Sequence, residues 1–297
     1  MKASFDSASN PILPVLKTDI RRILIPTDFS EASHHAYLYA LPLAQTLRAH
    51  ITLLHVMDPT AMAPDPMLHT YVDQLRESRF QKVSENFSTW LLEADALGCA
   101  VLPETVTQEG HDVSSIVTYA EENAIDLIVM GTRGTESPGQ SLHGSTVVRV
   151  VESSPCSVLA VPERSIWHTV SSVVYPMQLT MADVCLIPDI MRLASMMHAR
   201  VLGLHVAVEG EVNAPEAAEL LDAYMAEYPN FKMAYVPHMD VAVCIRQYIA
   251  EHGVSMALMP TTHLSWQEHL HAHTSHSITR EVLLQSAVPV WAFHGAA

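Results

Sequence analysis

Short apolar runs alternate along this chain with longer segments that have helical periodicity. Four such runs lie in the first half: Ile23–Pro26, Ile51–Val56, Leu127–Met130 and Val158–Val161. Runs of this length, rich in β-branched residues, are typical of strands buried on both faces of a parallel sheet. Between the first two runs, Glu31–Arg48 has apolar residues at helical spacing, with Ser30 as its expected N-cap. A helix over Thr146–Glu152 is expected before the last run. The alternation predicts a doubly wound α/β fold with a parallel sheet.

The same pattern occurs twice. Ala49–Val56 matches the segment 150 residues later, and Pro26 aligns with Pro176. Tyr119–Gly131 matches Tyr248–Pro260, and Gly144–Val161 matches His276–Phe293. We therefore expect two tandem α/β domains related by pseudo-two-fold symmetry, over residues 1–165 and 166–297. The joint falls near Pro162–His168, and residues 1–19 form an extension.

Size and charge narrow the function classes. A chain of 297 residues suits two domains of about 150 residues each. Its net charge of −16 disfavours nucleic acid and anionic membranes as partners, because their phosphates require Lys and Arg. We find no membrane-spanning apolar stretch and no signal-peptide core in the polar segment Met1–Asn10, so we expect a cytoplasmic protein. Four widely spaced cysteines without a C-x-x-C motif predict buried free thiols.

A glycine cluster is the strongest chemical signal. The chain has only 10 glycines, and Gly131, Gly134, Gly139 and Gly144 follow one apolar run closely, in the spacing G-x2-G-x9-G-S. Glycine permits positive φ and close approach of a ligand to the backbone, and free amides before a helix bind anions. The segment lacks the lysine of a P-loop and the G-x-G-x-x-G spacing. It predicts a phosphate cradle at the carboxyl end of a strand.

Three residues from distant segments meet at the predicted edge of the sheet. Asp28, Val56 and Gly131 each follow or end a strand, and parallel sheets bind ligands beyond the carboxyl ends of their strands. Asp28 suits hydrogen bonds from ribose hydroxyls or an exocyclic amine; alternatively, it is a helix N-terminal cap or a first-turn charge. Arg133 is either a donor to phosphate or a solvated surface residue.

The glycine spacing, together with Ile23–Asp28, resembles the universal stress protein family, and because the pattern repeats, the resemblance covers nearly the whole chain. It implies an adenine-nucleotide alpha-hydrolase-like fold that binds ATP, with Mg²⁺ left open. It also implies that Asp28 contacts adenosine and that Val56 offers a main-chain contact to adenine. Val147 departs from the family, which often has a small polar residue there. The candidate nucleotide-binding residues are Pro26, Thr27, Asp28, Val56, Met130, Gly131, Thr132, Arg133, Gly134, Gly144, Ser145, Thr146 and Val147.

The second half keeps the apolar runs but loses this chemistry. Asp28 aligns with Gln178, Gly131 with the proline at 260, and Gly144 with His276. Proline lacks the amide donor and a Cβ crowds the ligand, so we expect no nucleotide there. Family dimers often pair through their last strands, which implies intramolecular pairing of Ser157–Val161 with Val288–Phe293. A further homodimer is left open.

Histidines crowd the loop that replaces the second glycine cluster: His263, His269, His271, His273 and His276. Imidazoles at this density are weak candidates for a metal site, although their spacing fixes no geometry; a polar or pH-sensing loop is the alternative. The methionines of this half fill a core or line an apolar ligand pocket.

We therefore expect an ATP-binding regulatory module of the stress response with one site, in the first domain. One alternative is a slow ATPase, against which stand the absence of an evident general base, of Walker-type Mg²⁺ ligands and of a catalytic lysine. The other is a binding protein whose second half holds an apolar or metal ligand. No catalytic residue is assigned.

Overall fold

The computed structural model describes residues 16–58, 69–99, 102–132, 143–163, 165, 167, 169–207, 215–261 and 278–294. Within them, ten strands form one sheet in the order β3-β2-β1-β4-β5-β10-β9-β6-β7-β8. The strands are β1 Arg22–Pro26, β2 His50–Met57, β3 Glu104–Glu109, β4 Leu127–Thr132, β5 Ser157–Pro162, β6 Ser172–Pro176, β7 Arg200–Ala207, β8 Phe231–Pro237, β9 Met256–Thr261 and β10 Val290–His294. Neighbouring strands are parallel except β5 and β10, which run antiparallel with Trp291 opposite Leu159.

Helices connect the strands and confirm the predicted doubly wound α/β fold. They are α1 Glu31–Leu47, α2 His69–Ala96, α3 Asp112–Glu122, α4 His143–Ser153, α5 Met181–Cys185, α6 Ile187–Met196, α7 Pro215–Glu227, α8 Val241–His252 and α9 Ile278–Gln285. Ser30 caps α1 as predicted, since its Oγ accepts a hydrogen bond from the Ser33 amide at 3.3 Å. α4 begins earlier than predicted, so Gly144 and Ser145 lie in its first turn.

Strand β3 carries no apolar run, and the hydrophobic pattern does not mark it. Its sequence, ETVTQE, is polar because β3 is an edge strand, which within the described ranges pairs with β2 alone and is at most half-buried. Edge strands commonly carry charges, which discourage pairing with other chains.

Left-handed backbone recurs at matching places 150 residues apart. Phe29 and Arg48 have φ of 59° and 57°, and their counterparts Leu179 and His198 both have φ of 57°. Non-glycine residues adopt this region rarely and bulky ones least of all. Four different side chains adopt this conformation here. The connections between strand and helix, and not the residue types, therefore determine the backbone at these turns.

One hydrophobic cluster spans both sets of five strands. It contains Leu159 and Trp291, which face each other across the β5–β10 seam, and both are fully buried. Leu16 and Ile20 also belong to it, with exposures of 2% and 1%. The expected amino-terminal extension is therefore packed into the core from residue 16 onward.

The cysteines are free, but the expectation of burial holds only for Cys244; Cys99, Cys156 and Cys185 are half-buried. None of the helices in the described ranges is both long and apolar enough to pass through a bilayer.

Gly131 lies inside β4, where it pairs with Val161. A Cβ added at this position would lie 2.0 Å from the carbonyl oxygen of Ala32 in the first turn of α1. The expected positive φ is wrong here, because among the described glycines only Gly98 and Gly253 have it. Gly131 instead allows the strand to approach the start of α1 closely.

Asp126 organises the opposite edge of the sheet, where β1 and β4 begin. Its buried carboxylate accepts hydrogen bonds from the amides of Arg21 and Arg22, at 2.8 and 2.9 Å, and pairs with Lys17. Burial opposes its ionisation, but these donors outweigh burial and lower the pKa of the carboxyl. Ser255 holds the matching position in the second half and accepts from the Ser171 amide at 3.3 Å.

Gly131→Ala is expected to destabilise the protein by about 2 kcal/mol or more, because backbone must move to relieve the overlap. The matched control is Gly203→Ala, whose added Cβ meets the Sδ atom of Met233 at 2.1 Å, the flexible end of a side chain. Urea unfolding measures both variants. An equal loss in the two would contradict the close approach of β4 to α1.

Asp126→Ala is expected to lower the free energy of unfolding by about 2–3 kcal/mol at pH 7, since it leaves two amides without their acceptor. Ser255→Ala, which removes a neutral acceptor, should cost about 1 kcal/mol or less.

The folded-state pKa of Asp126 lies below the ordinary value of 3.8, so its contribution is complete above that pH and is lost as the pH falls through the folded pKa. The gap in unfolding free energy between wild type and Asp126→Ala should therefore narrow in acid below about pH 4. A gap that widens there would contradict the assigned role.

Candidate functional site

A cavity of about 300 Å³ opens at the carboxyl ends of β1, β2 and β4. Its walls come from these strands and from the first turns of α1, α3 and α4. Among the residues selected from the sequence, those that line it are Pro26, Thr27, Asp28, Val56, Met130, Gly131, Thr146 and Val147. Residues far apart in the sequence thus meet at one site, where a parallel sheet binds ligands.

The remaining selected residues lie elsewhere or are not described. Thr132 is buried at the end of β4 and does not line the cavity; its carbonyl accepts a hydrogen bond from the Glu163 amide at 3.1 Å. Gly144 and Ser145 belong to the first turn of α4. Arg133 and Gly134 lie outside the described residues, as do His263, His269, His271, His273 and His276.

Asp28 lies two residues after the end of β1 and is exposed at the cavity. Its Oδ1 accepts a hydrogen bond from the Ser30 amide at 3.0 Å. Desolvation by the surrounding residues raises the pKa of this carboxyl, but hydrogen bonds from Ser30 and Ser33 outweigh desolvation and lower it overall. Asp28 is therefore an ionised acceptor at neutral pH, and it also supports the turn that leads into α1.

Hydroxyl groups stabilise the turn between β1 and α1 that carries Asp28. Thr27 is buried; its Oγ1 accepts from the Phe29 amide at 2.9 Å and lies 3.1 Å from the Oγ of Ser33. The Ser33 hydroxyl donates to the Ser30 carbonyl at 3.0 Å. The Thr27 hydroxyl thus serves the loop itself, and its side chain forms part of the cavity wall.

Phe29, whose backbone is left-handed, anchors the same turn through the packing of its ring. Its ring centroid lies 4.8 Å from that of His55, 5.1 Å from Phe87 and 5.5 Å from Trp90. Aromatic contacts at these distances are stabilising. Because Phe87 and Trp90 belong to α2, this helix supports the position of Asp28.

Sequence reasoning missed several lining residues: Ser30, Ala32, Ser33, Leu54, Asp112 and Ile116. Ser30 was identified only as a helix cap, and Leu54 only as part of a strand. Asp112 begins α3, and the signal that marks it is a carboxylate in a helix first turn after a strand. That signal has meaning only once the strand β3 has been located.

Hydrogen bonds to one carboxylate stabilise the matching turn in the second half. The amide of Gln178, the counterpart of Asp28, donates to the Asp183 carboxylate at 2.9 Å, and the Thr180 hydroxyl donates to the same oxygen at 2.9 Å. Pro260 takes the place of Gly131, in a strand position opposite Phe293. In this turn, the Gln178 amide and the Thr180 hydroxyl are therefore both occupied by the Asp183 carboxylate.

The described part of the cavity lining is acidic. Of the described residues that line it, Asp28 and Asp112 carry charge, and none is Lys, Arg or His. No group of three or more metal-ligating His, Cys, Asp or Glu side chains occurs in the part of the chain that the structure describes.

Comparisons with known proteins agree with this architecture. The model of the universal stress protein family matches residues 19–162. A universal stress protein of Methanocaldococcus jannaschii is 29% identical over 147 residues, which cover 48% of this chain and 81% of that protein. A universal stress protein structure from Archaeoglobus fulgidus is 18% identical with a TM-score of 0.70, covering 95% of this chain and 100% of the other. This fold therefore extends over both halves.

Another solved universal stress protein, 22% identical with a TM-score of 0.35, covers 48% of this chain and 98% of its own, and it was determined in complex with cAMP. The matched family model identifies residues 19–162 of this chain as a domain of the universal stress protein family.

Proposed function

We propose that this protein is an ATP-binding regulatory module of the stress response, with one nucleotide site in a first domain of residues 1–165. The observation that supports this most directly is the convergence of Asp28, Val56, Gly131 and Thr146 on one cavity. At about 300 Å³, the cavity lies at the lower end of the usual range for ligand sites. It suits the nucleoside, with the phosphates extending beyond it.

The lining suggests an orientation for the nucleotide. Val56, Met130 and Ile116 form an apolar wall for adenine, with the main chain of Val56 as its hydrogen-bonding partner. Asp28 accepts hydrogen bonds from the ribose hydroxyls. The phosphates then extend toward the first turn of α4, where backbone amides and the helix dipole favour negative charge.

The phosphate contacts are the part of the proposal that comes from the sequence. Gly144, Ser145 and Thr146 offer amides at the start of α4. Gly134 and Arg133 complete the cradle, with the guanidinium neutralising phosphate charge. Mg²⁺ would accompany the phosphates and reduce their repulsion from the acidic cavity.

The chemistry of the cavity favours binding over catalysis. Hydrogen bonds hold the pKa of Asp28 below its ordinary range, which makes its carboxylate a weak general base near neutral pH. A regulatory module needs only to change its surface when the nucleotide binds. We expect this role in the cytoplasm.

The second domain, residues 166–297, is proposed as a built-in partner without a nucleotide. In support, β10 pairs antiparallel with β5, and the Gln178 amide is occupied by Asp183. An intramolecular pair of domains would thus replace two separate chains, and a further homodimer remains compatible with this arrangement.

Asp28→Asn is expected to weaken ATP binding by at least about tenfold, because it replaces a charged acceptor of the ribose hydroxyls with a neutral one. The variant keeps an oxygen able to accept from the Ser30 amide, so the turn should persist. Isothermal titration calorimetry measures the affinity, and circular dichroism checks the fold. The matched control is Gln178→Ala in the second half, which should leave ATP affinity unchanged.

Unchanged ATP affinity in Asp28→Asn would argue against the site. A phosphate-release assay on the same proteins separates a binding module from an ATPase. Turnover that disappears in Asp28→Asn would identify the alternative, an enzyme at this cavity.

A further inference from the structure

We infer that Asp112 determines which charge state of the nucleotide this cavity accepts. Its carboxylate opposes the negative charge of a bare polyphosphate, so that tight ATP binding requires a divalent cation, whereas an uncharged nucleoside binds without one. This inference rests on the proposed function and assigns Asp112 as a specificity-determining residue of that same site.

Helix α3 does not use the Asp112 carboxylate as a cap. The N-cap of α3 is His111, and its side chain makes no capping hydrogen bond. Asp112 follows as the first residue of the helix and lines the cavity. Among the residues that the structure describes, its carboxylate has neither a hydrogen-bonding partner nor a salt bridge.

The second half shows the structural use of a carboxylate in the equivalent turn. There, Asp240 is the N-cap of α8, and its Oδ1 accepts from the Val243 amide at 3.0 Å. The carboxylate in the first half sits on the first residue inside the helix instead of on the cap. The two acidic side chains therefore have different roles: Asp240 caps its helix, whereas Asp112 lines the cavity.

The charges near Asp112 disfavour a bare polyphosphate. Asp28 and Asp112 are the charged side chains among the described lining residues, and the chain as a whole has a net charge of −16. Asp112 also lies at the positive end of the α3 dipole and offsets its attraction for anions. A polyphosphate is therefore repelled from this side of the cavity and favoured only toward α4, whereas an uncharged nucleoside is not repelled and its hydroxyls are hydrogen-bond donors to carboxylates.

A divalent cation changes this balance. Mg²⁺ bound to the phosphates cancels part of their charge and therefore part of the repulsion from Asp112. Adenosine has no such charge, and its binding should be insensitive to the cation. Removing the Asp112 charge should thus change the affinity for ATP without Mg²⁺ far more than the affinity for adenosine.

The test titrates adenosine and ATP, each with and without Mg²⁺, into the full chain at low ionic strength by calorimetry. In Asp112→Asn, the affinity for ATP without Mg²⁺ should rise about tenfold, and Mg²⁺ should reduce that gain. The adenosine affinity should change by less than about threefold. The matched control is Glu121→Gln, an exposed residue farther along α3, which alters the net charge equally and should change neither ligand.

The outcomes separate this inference from the function on which it rests. Adenosine binding to the wild type with no gain for ATP in Asp112→Asn would overturn the role of Asp112 and leave the nucleotide site standing. An equal gain in Glu121→Gln would overturn it as well, since net charge alone would explain the effect. Failure of both ligands to bind the wild type would overturn the proposed function and this inference together.

Discussion

The contact between β4 and the first turn of α1 is the constraint on which the candidate site depends. At Gly131 the strand comes so close to the Ala32 carbonyl that a Cβ has no space. The helix therefore begins directly beside the strand, and its cap, Ser30, lies at the cavity. This approach fixes the loop that carries Asp28 relative to the end of β4.

A second support holds the same loop from the opposite direction. Phe29 adopts the left-handed backbone conformation, which costs an L-amino acid roughly 1–2 kcal/mol. Packing of its ring against His55, Phe87 and Trp90 offsets this cost. The Asp28 turn is thus held between a strand on one side and an aromatic cluster on the other, so a ligand meets a preformed edge.

The sequence predicts what local patterns encode. Apolar runs predicted the buried strands, and helical spacing with a capping serine predicted the start of α1. Both succeeded because burial and capping leave signals within a few residues of the sequence. β3 left no such signal because, at the edge of the sheet, it buries little. Asp112 was missed for a related reason: its exposure to the cavity depends on where β3 ends and α3 begins.

Gly131 shows a different limit of the sequence. The positive φ expected there was wrong, because the residue lies within β4, and the atom nearest to an added Cβ belongs to a residue about 100 positions earlier in the chain. A glycine in a sequence indicates that space is needed and does not say which atoms occupy it. Only the packing of helix on strand supplies that answer.

The antiparallel seam between β5 and β10 has a consequence for how the protein behaves at low concentration. Two separate chains joined through such strands come apart on dilution, because their association depends on concentration. Here both strands belong to one polypeptide, and the linking chain keeps their effective concentration constant. The ten-stranded sheet should therefore stay assembled even when only a few copies of the protein exist in a cell.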